Sequence, residues 1–121
     1  MKNIKDYCVP HSIAMILNQK QFDEPCFAFY SEQKQLIIAR GACFQSKDNF
    51  PTAPIFEQVF DWLDKTHKIR ISLGTAKTSG KYRFDILQFT EDKWQGDYNL
   101  TSFYDSRDRN IKAIETALQL I

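Results

Sequence analysis

Cys8 and His11 stand in a Cys-x-x-His spacing, which chelates zinc when a second pair completes four ligands. No second pair follows: His67 stands alone, and Cys26 and Cys43 lie 17 positions apart. Nor does any motif supply the three ligands of a catalytic metal, so the sequence predicts no metal and no cofactor. Cys8 also falls just before a predicted helix, where the N-terminal field lowers a thiol pKa. With His67 as a distant base and Asp85 to orient it, Cys8 would be a thiol nucleophile. Three Cys and two His offer such a trio by chance, and no Gly or Gln pattern flags the thiol. The stretch Gly74-Thr-Ala-Lys-Thr-Ser-Gly80 places Lys77-Thr78 before its second glycine and a strand after it. A phosphate loop needs the opposite order, with a helix following, so this reads as a hairpin loop. Asp61 with Asp64, and Asp105 with Asp108, are i, i+3 pairs that read as solvated helix surface. The sequence therefore predicts no enzyme, with a thiol enzyme at Cys8 as the third-ranked alternative.

One charge bias stands out. Lys65, Lys68, Arg70, Lys77, Lys81 and Arg83 fall within nineteen residues that contain no Asp or Glu, and His67 lies among them. These six cations are the candidate partner-binding residues. A basic hairpin contacts a phosphate backbone, with Tyr82 and Phe84 as stacking faces. The same pattern suits an acidic protein surface. The bland alternative is an outer hairpin balanced by acids elsewhere, such as Glu91, Asp92 and Asp97.

The elements that must hold these residues follow from periodicity and punctuation. A first helix runs from about Pro10 to Gln19, with Ile13, Ile16 and Leu17 on one face and Pro10 suited to its first turn. Lys20 and the Phe22-Asp23-Glu24-Pro25 turn end it. Cys26 to Tyr30 and Leu36 to Ala39 read as a hairpin, and Gly41 to Pro54 as a longer loop. A second helix runs from Ala53 or Pro54 to Lys65, with Thr52 as its cap. Its apolar stripe is Ile55, Val59, Trp62 and Leu63, widened by Phe56 and Phe60, with Glu57, Asp61 and Asp64 facing away. Ile69 to Leu73 alternates as a half-buried strand, and Tyr82 to Phe89 is the fourth strand. Glu91 to Asn99 reads as polar and irregular around Trp94 and Gly96. A last helix starts near Ser102, where Ser102-Phe103-Tyr104-Asp105 has a capping-box form. It carries Phe103, Ile111, Ile114, Leu118 and Ile121 inward and Arg107, Asp108 and Arg109 outward. The expected fold is α+β: one four-stranded antiparallel sheet with three helices, order α-β-β-α-β-β-α, in a single domain over residues 1–121.

Composition agrees with a packed domain. The chain has 43% hydrophobic and 26% charged residues, ten Phe, five Tyr and two Trp, enough apolar area to offset ordering entropy. Net charge is +1, so overall charge points to no nucleic-acid, membrane or acidic partner. The apolar runs are too short to span a bilayer, and Met1 to Asp6 lacks the apolar stretch of a signal peptide. The expected location is the cytoplasm, with Cys8, Cys26 and Cys43 as reduced thiols, the latter two buried among aromatics.

Three segments carry a resemblance. Phe22-Asp-Glu-Pro-Cys-Phe-Ala-Phe-Tyr30 resembles a "GFdePCf.yY" segment, and Pro54 to Ile69 resembles "PtyeqvldWlrekhki". Ile111 to Ile121 resembles an "aieeALeLI" tail. Together they look like a group of short proteins carried by phages, prophages and mobile elements of Bacteroidetes-type bacteria, and the match runs in order over most of the chain. It departs at Lys20-Gln21, where the group has Gly before the Phe. The group carries no established catalytic residues, so none is transferred. The resemblance implies a phage accessory protein that binds a host machine, anti-CRISPR proteins being one class of this size. By that analogy the partner is a host protein or nucleoprotein complex, such as an RNA-targeting type VI effector, contacted by the basic hairpin. Direct binding of RNA or DNA is the alternative.

Overall fold

The structure is a computed structural model and describes residues 4–38, 51–75, 80–90, 92–98 and 103–121. Lys77, Cys43 and Ser102 lie outside the described residues. Contacts group the chain into two compact units, Met1–Gln58 and Val59–Ile121.

In the first unit a 3-10 turn, Ile4–Tyr7, leads into helix α1, His11–Gln19. Pro10 is the N-cap, and Ile13, Ala14 and Leu17 are buried. The helix closes in a Schellman motif: Phe22 N–H donates to the Leu17 carbonyl at 3.0 Å and Gln21 N–H to Asn18 at 3.2 Å. Gln21 accordingly sits at φ 67, the left-handed position that glycine favours. Leu17 and Phe22, both buried, supply the apolar contact usual in this motif.

Strands β1 (Ala28–Tyr30) and β2 (Leu36–Ile38) pair antiparallel, joined by a turn with Lys34 at φ 62. The other edge of β1 is taken by Pro51 to Ala53: Tyr30 N–H donates to the Pro51 carbonyl, and Ala53 N–H to Ala28, both at 2.9 Å. Thr52 is therefore a buried residue bridged to Phe29, not a helix cap. Beyond it, Ile55 bridges Cys8, and Val9 N–H donates to the Pro54 carbonyl at 3.0 Å. The two prolines, which have no N–H to give, serve here as acceptors. The Tyr30 hydroxyl closes the unit by donating to the Val9 carbonyl at 2.6 Å.

Helix α2 spans Phe56–His67, beginning two or three residues later and ending two later than its apolar period suggests. Phe56, Val59, Trp62 and Leu63 are buried, while Glu57 and Asp61 are exposed. Lys68, at φ 56, turns the chain directly into β3.

The second unit is built on β3 (Ile69–Thr75), β4 (Tyr82–Thr90) and β5 (Lys93–Tyr98), antiparallel and in that order. The register pairs Ile71 with Ile86 and Leu73 with Phe84 on one face, and Arg70 with Leu87 and Gly74 with Arg83 on the other. Across β4, Leu87 pairs with Gly96 and Phe89 with Trp94. Helix α3, Ser106–Leu118, packs on β4 and β3 through Ala113, Ile114, Ala117 and Leu118. It covers the Tyr82, Phe84 and Ile86 face, since Arg109 of α3 lies over the Tyr82 ring. Asp105 is its N-cap, accepting from Arg107 N–H at 2.6 Å, so the helix starts later than its Ser102 capping-box reading.

The expected single four-stranded sheet is corrected. Among the described residues the strands form two separate sheets of two and three strands, and the order is α-β-β-α-β-β-β-α. Two of the four strands of the expected sheet have both edges filled. Pro51 to Ala53 takes the free edge of β1, and β5, which begins at Lys93, takes the free edge of β4. Neither β1 nor β4 keeps an edge to offer the other hairpin.

Candidate sheet-face interaction site

The two faces of β3–β4–β5 differ. One is buried under α3: Ile69, Phe84 and Ile86 are core residues. The opposite face carries Arg70, Ser72, Arg83, Asp85, Leu87, Phe89 and Trp94, all exposed or half-buried. On it, the Phe89 and Trp94 rings meet at 5.3 Å and 54°. The Arg70 guanidinium lies 4.2 Å over the Trp94 ring, and its Nε donates to Asp64 Oδ2 at 3.0 Å. Arg70 is thus clamped between a helix carboxylate and an indole, and Phe89 remains 40% exposed beside them. Gly96 makes the arrangement fit: a Cβ there would collide with the Leu87 side chain opposite.

The structure redistributes the six predicted cations. Lys65 pairs with Asp61 at 3.3 Å and Arg70 with Asp64, so two of the six are neutralised by α2. The stretch free of acids in sequence is not free of them in space. Lys68 is exposed between α2 and β3, and Arg83 is exposed on the outer face against Gly74. Lys81 lies 4.6 Å over the ring of Tyr104, which is 84% exposed. Arg70 and Arg83 share a face about 13 Å apart along the strands, four residues at about 3.3 Å each.

Two stacking residues are corrected. Phe84 is buried and stacks on Phe103 at 6.1 Å, and Tyr82 faces Arg109, so neither shares the face of Arg70 and Arg83. The rings on that face are Phe89 and Trp94. Trp94 was legible only as part of a polar stretch, although Trp94, Gly96 and Tyr98 do recur at the strand period of two. Arg109 is corrected too. It is 8% exposed, not outward; its Nη1 donates to the Gly74 carbonyl at 3.3 Å and its Nε to Asn110 at 3.1 Å. Burial lowers its pKa from the ordinary guanidinium value.

Cys8 and Cys26 are placed for packing. Cys8 is 0% exposed, bridged to Ile55 in the first unit, whereas His67 and Asp85 belong to the second. Cys26 is buried, and burial pushes its pKa up to about 11; Glu24 adds to this while the Thr52 and Gln58 hydrogen bonds oppose it. At neutral pH Cys26 is a thiol, the unreactive form. His67 sets its ring 4.7 Å from Trp62 and buries Nε2 without a hydrogen-bond partner among the described residues, so it is a packed side chain. Among those residues no three of His, Cys, Asp or Glu gather as a metal site, and no helix is long and apolar enough to cross a membrane.

Comparison with protein families, curated proteins and solved structures finds no match to this chain.

Proposed function

We propose that the chain is a non-enzymatic interaction protein whose working surface is the outer face of β3–β4–β5. The observation that carries this is the clamped ensemble of Arg70, Trp94 and Phe89 on an otherwise solvated sheet face. Trp and Arg are the residue types that dominate binding energy at interfaces, and both are held in place before any partner arrives. The burial of Cys8 and the thiol state of Cys26 weigh against covalent catalysis. The resemblance to phage and mobile-element proteins supplies the setting. In it, the partner is a host protein or nucleoprotein complex, and inhibition of a defence effector, type VI among them, is the first activity to assay.

The test is capture from host lysate with three baits: wild type, Phe89→Ala with Trp94→Ala, and Lys68, Arg70, Lys81 and Arg83 all changed to Glu. Wild type recovers a partner that the ring variant loses. Equal recovery by wild type and ring variant overturns the assignment of the surface.

A further inference from the structure

Resting on the reading above, we propose that this sheet face takes a protein segment presenting an apolar or aromatic anchor flanked by carboxylates, in preference to a nucleic-acid strand. The centre of the face is apolar. Phe89 and Trp94 lie ring to ring at 5.3 Å beside the half-buried Leu87. Such a centre is filled by a side chain that leaves water, the arrangement of an interface hot spot.

The charges around it choose the flanks. Lys68 and Arg83 have no carboxylate partner among the described residues, so the complement is negative. The spacing of these cations argues against a polyanion. Asp85 lies on the same face, one outward position along β4 from Arg83, and Asp64 already occupies Arg70. A strand carrying a phosphate at every nucleotide would run past both carboxylates, and like charges at short range repel. A protein segment sets a carboxylate opposite Arg83 or Lys68 and turns a neutral residue to Asp85. The Asp64 clamp on Arg70 also removes the side-chain ordering cost that an open arginine would meet on docking.

The probes are a displayed library of random peptides of roughly 12 residues and a single-stranded poly(U) of roughly 20 nucleotides, longer than one single-strand site. Each is applied to the full chain, to Phe89→Ala, to Phe89→Ala with Trp94→Ala, and to Lys68→Glu with Arg83→Glu, with circular dichroism confirming the fold of each variant. Phe89→Ala alone removes an exposed ring and is the variant least able to disturb folding. The expected peptides combine net negative charge with an aromatic or large aliphatic residue. They bind both ring variants and the charge variant about tenfold or more weakly, and weaken as salt rises. Selected peptides without acidic bias, or acidic ones indifferent to the charge variant, overturn the carboxylate assignment and leave the face itself standing. Poly(U) binding that the ring variants lose reassigns the face to nucleic acid and overturns this proposal. Binding of every probe equally to wild type and ring variants overturns both this proposal and the function on which it rests.

Discussion

Cys26 and Arg109 show how burial changes what a reactive or charged side chain does. The Cys26 thiol, raised from 9.0 to about 11 chiefly by burial, is neutral in the fold at pH values where an unfolded cysteine ionises. The sign follows from linkage. A raised pKa gives stability present in full below pH 9 and lost as pH climbs toward about 11. Urea unfolding at about pH 8 and about pH 10.5 should show wild type losing on the order of 2 kcal/mol more than Cys26→Ala, at about 1.4 kcal/mol per pKa unit. Arg109 meets a carbonyl, an amide oxygen and an aromatic ring, with no carboxylate at its guanidinium among the described residues. Arg109→Ala loses both the stem packing and the bond to Gly74, an expected cost of about 2 kcal/mol in chemical unfolding. Arg109→Met keeps the stem and relieves the buried charge, so it should stay within about 1 kcal/mol of wild type. Arg109 stands four and eight residues before the buried Ala113 and Ala117, so its spacing is inward, but its type scores as polar whatever its stem does.

At the scale of elements, the helices were readable because their apolar faces are repeated by residues three and four apart. Their ends moved by a few residues, set by backbone partners that the pattern does not contain. Thr52 illustrates this: a good cap by type, it is drawn into pairing with Phe29. The α1 terminus offers a direct test. Gln21→Gly places the residue suited to a left-handed φ of 67 in the Schellman motif and should stabilise by about 0.5–1 kcal/mol, read as a higher thermal midpoint. Strand β5 was not legible for two reasons. The sequence before it, Glu91-Asp92, lacks the Asn-Gly or Asp-Gly signature, and the strand interior holds a glycine that β-propensity counts against. A Cβ at that glycine would have to displace the Leu87 side chain across the ladder. Gly96→Ala should cost about 1–3 kcal/mol by crowding Leu87 and the Ile86 carbonyl, 3.3 Å away. Its heteronuclear spectrum should show the disturbance concentrated at Leu87 and its neighbours.

For the whole molecule, the consequence is electrostatic. A chain of net charge +1 with a run of six cations invites a polyanion, yet α2 returns Asp61 and Asp64 to two of them. Changing both acids to Asn should make the chain bind a heparin column to distinctly higher salt than wild type, since the freed cations then act together. Unchanged elution would mean that the helix acids do not mask the hairpin.

Amphipathic period, turn residues and composition by themselves determined the α+β class, three helices, both hairpins and the outward direction of Arg70. These depend on neighbours a few residues apart, and a sequence displays such neighbours directly. Only the tertiary structure decided that there are two sheets, that Trp94 and Phe89 join Arg70 on one face, that Arg109 is buried, and that Asp64 clamps Arg70. Each of these depends on which edge or side chain arrives from elsewhere to satisfy a backbone or a charge. That competition is settled by packing and hydrogen-bond satisfaction across the fold.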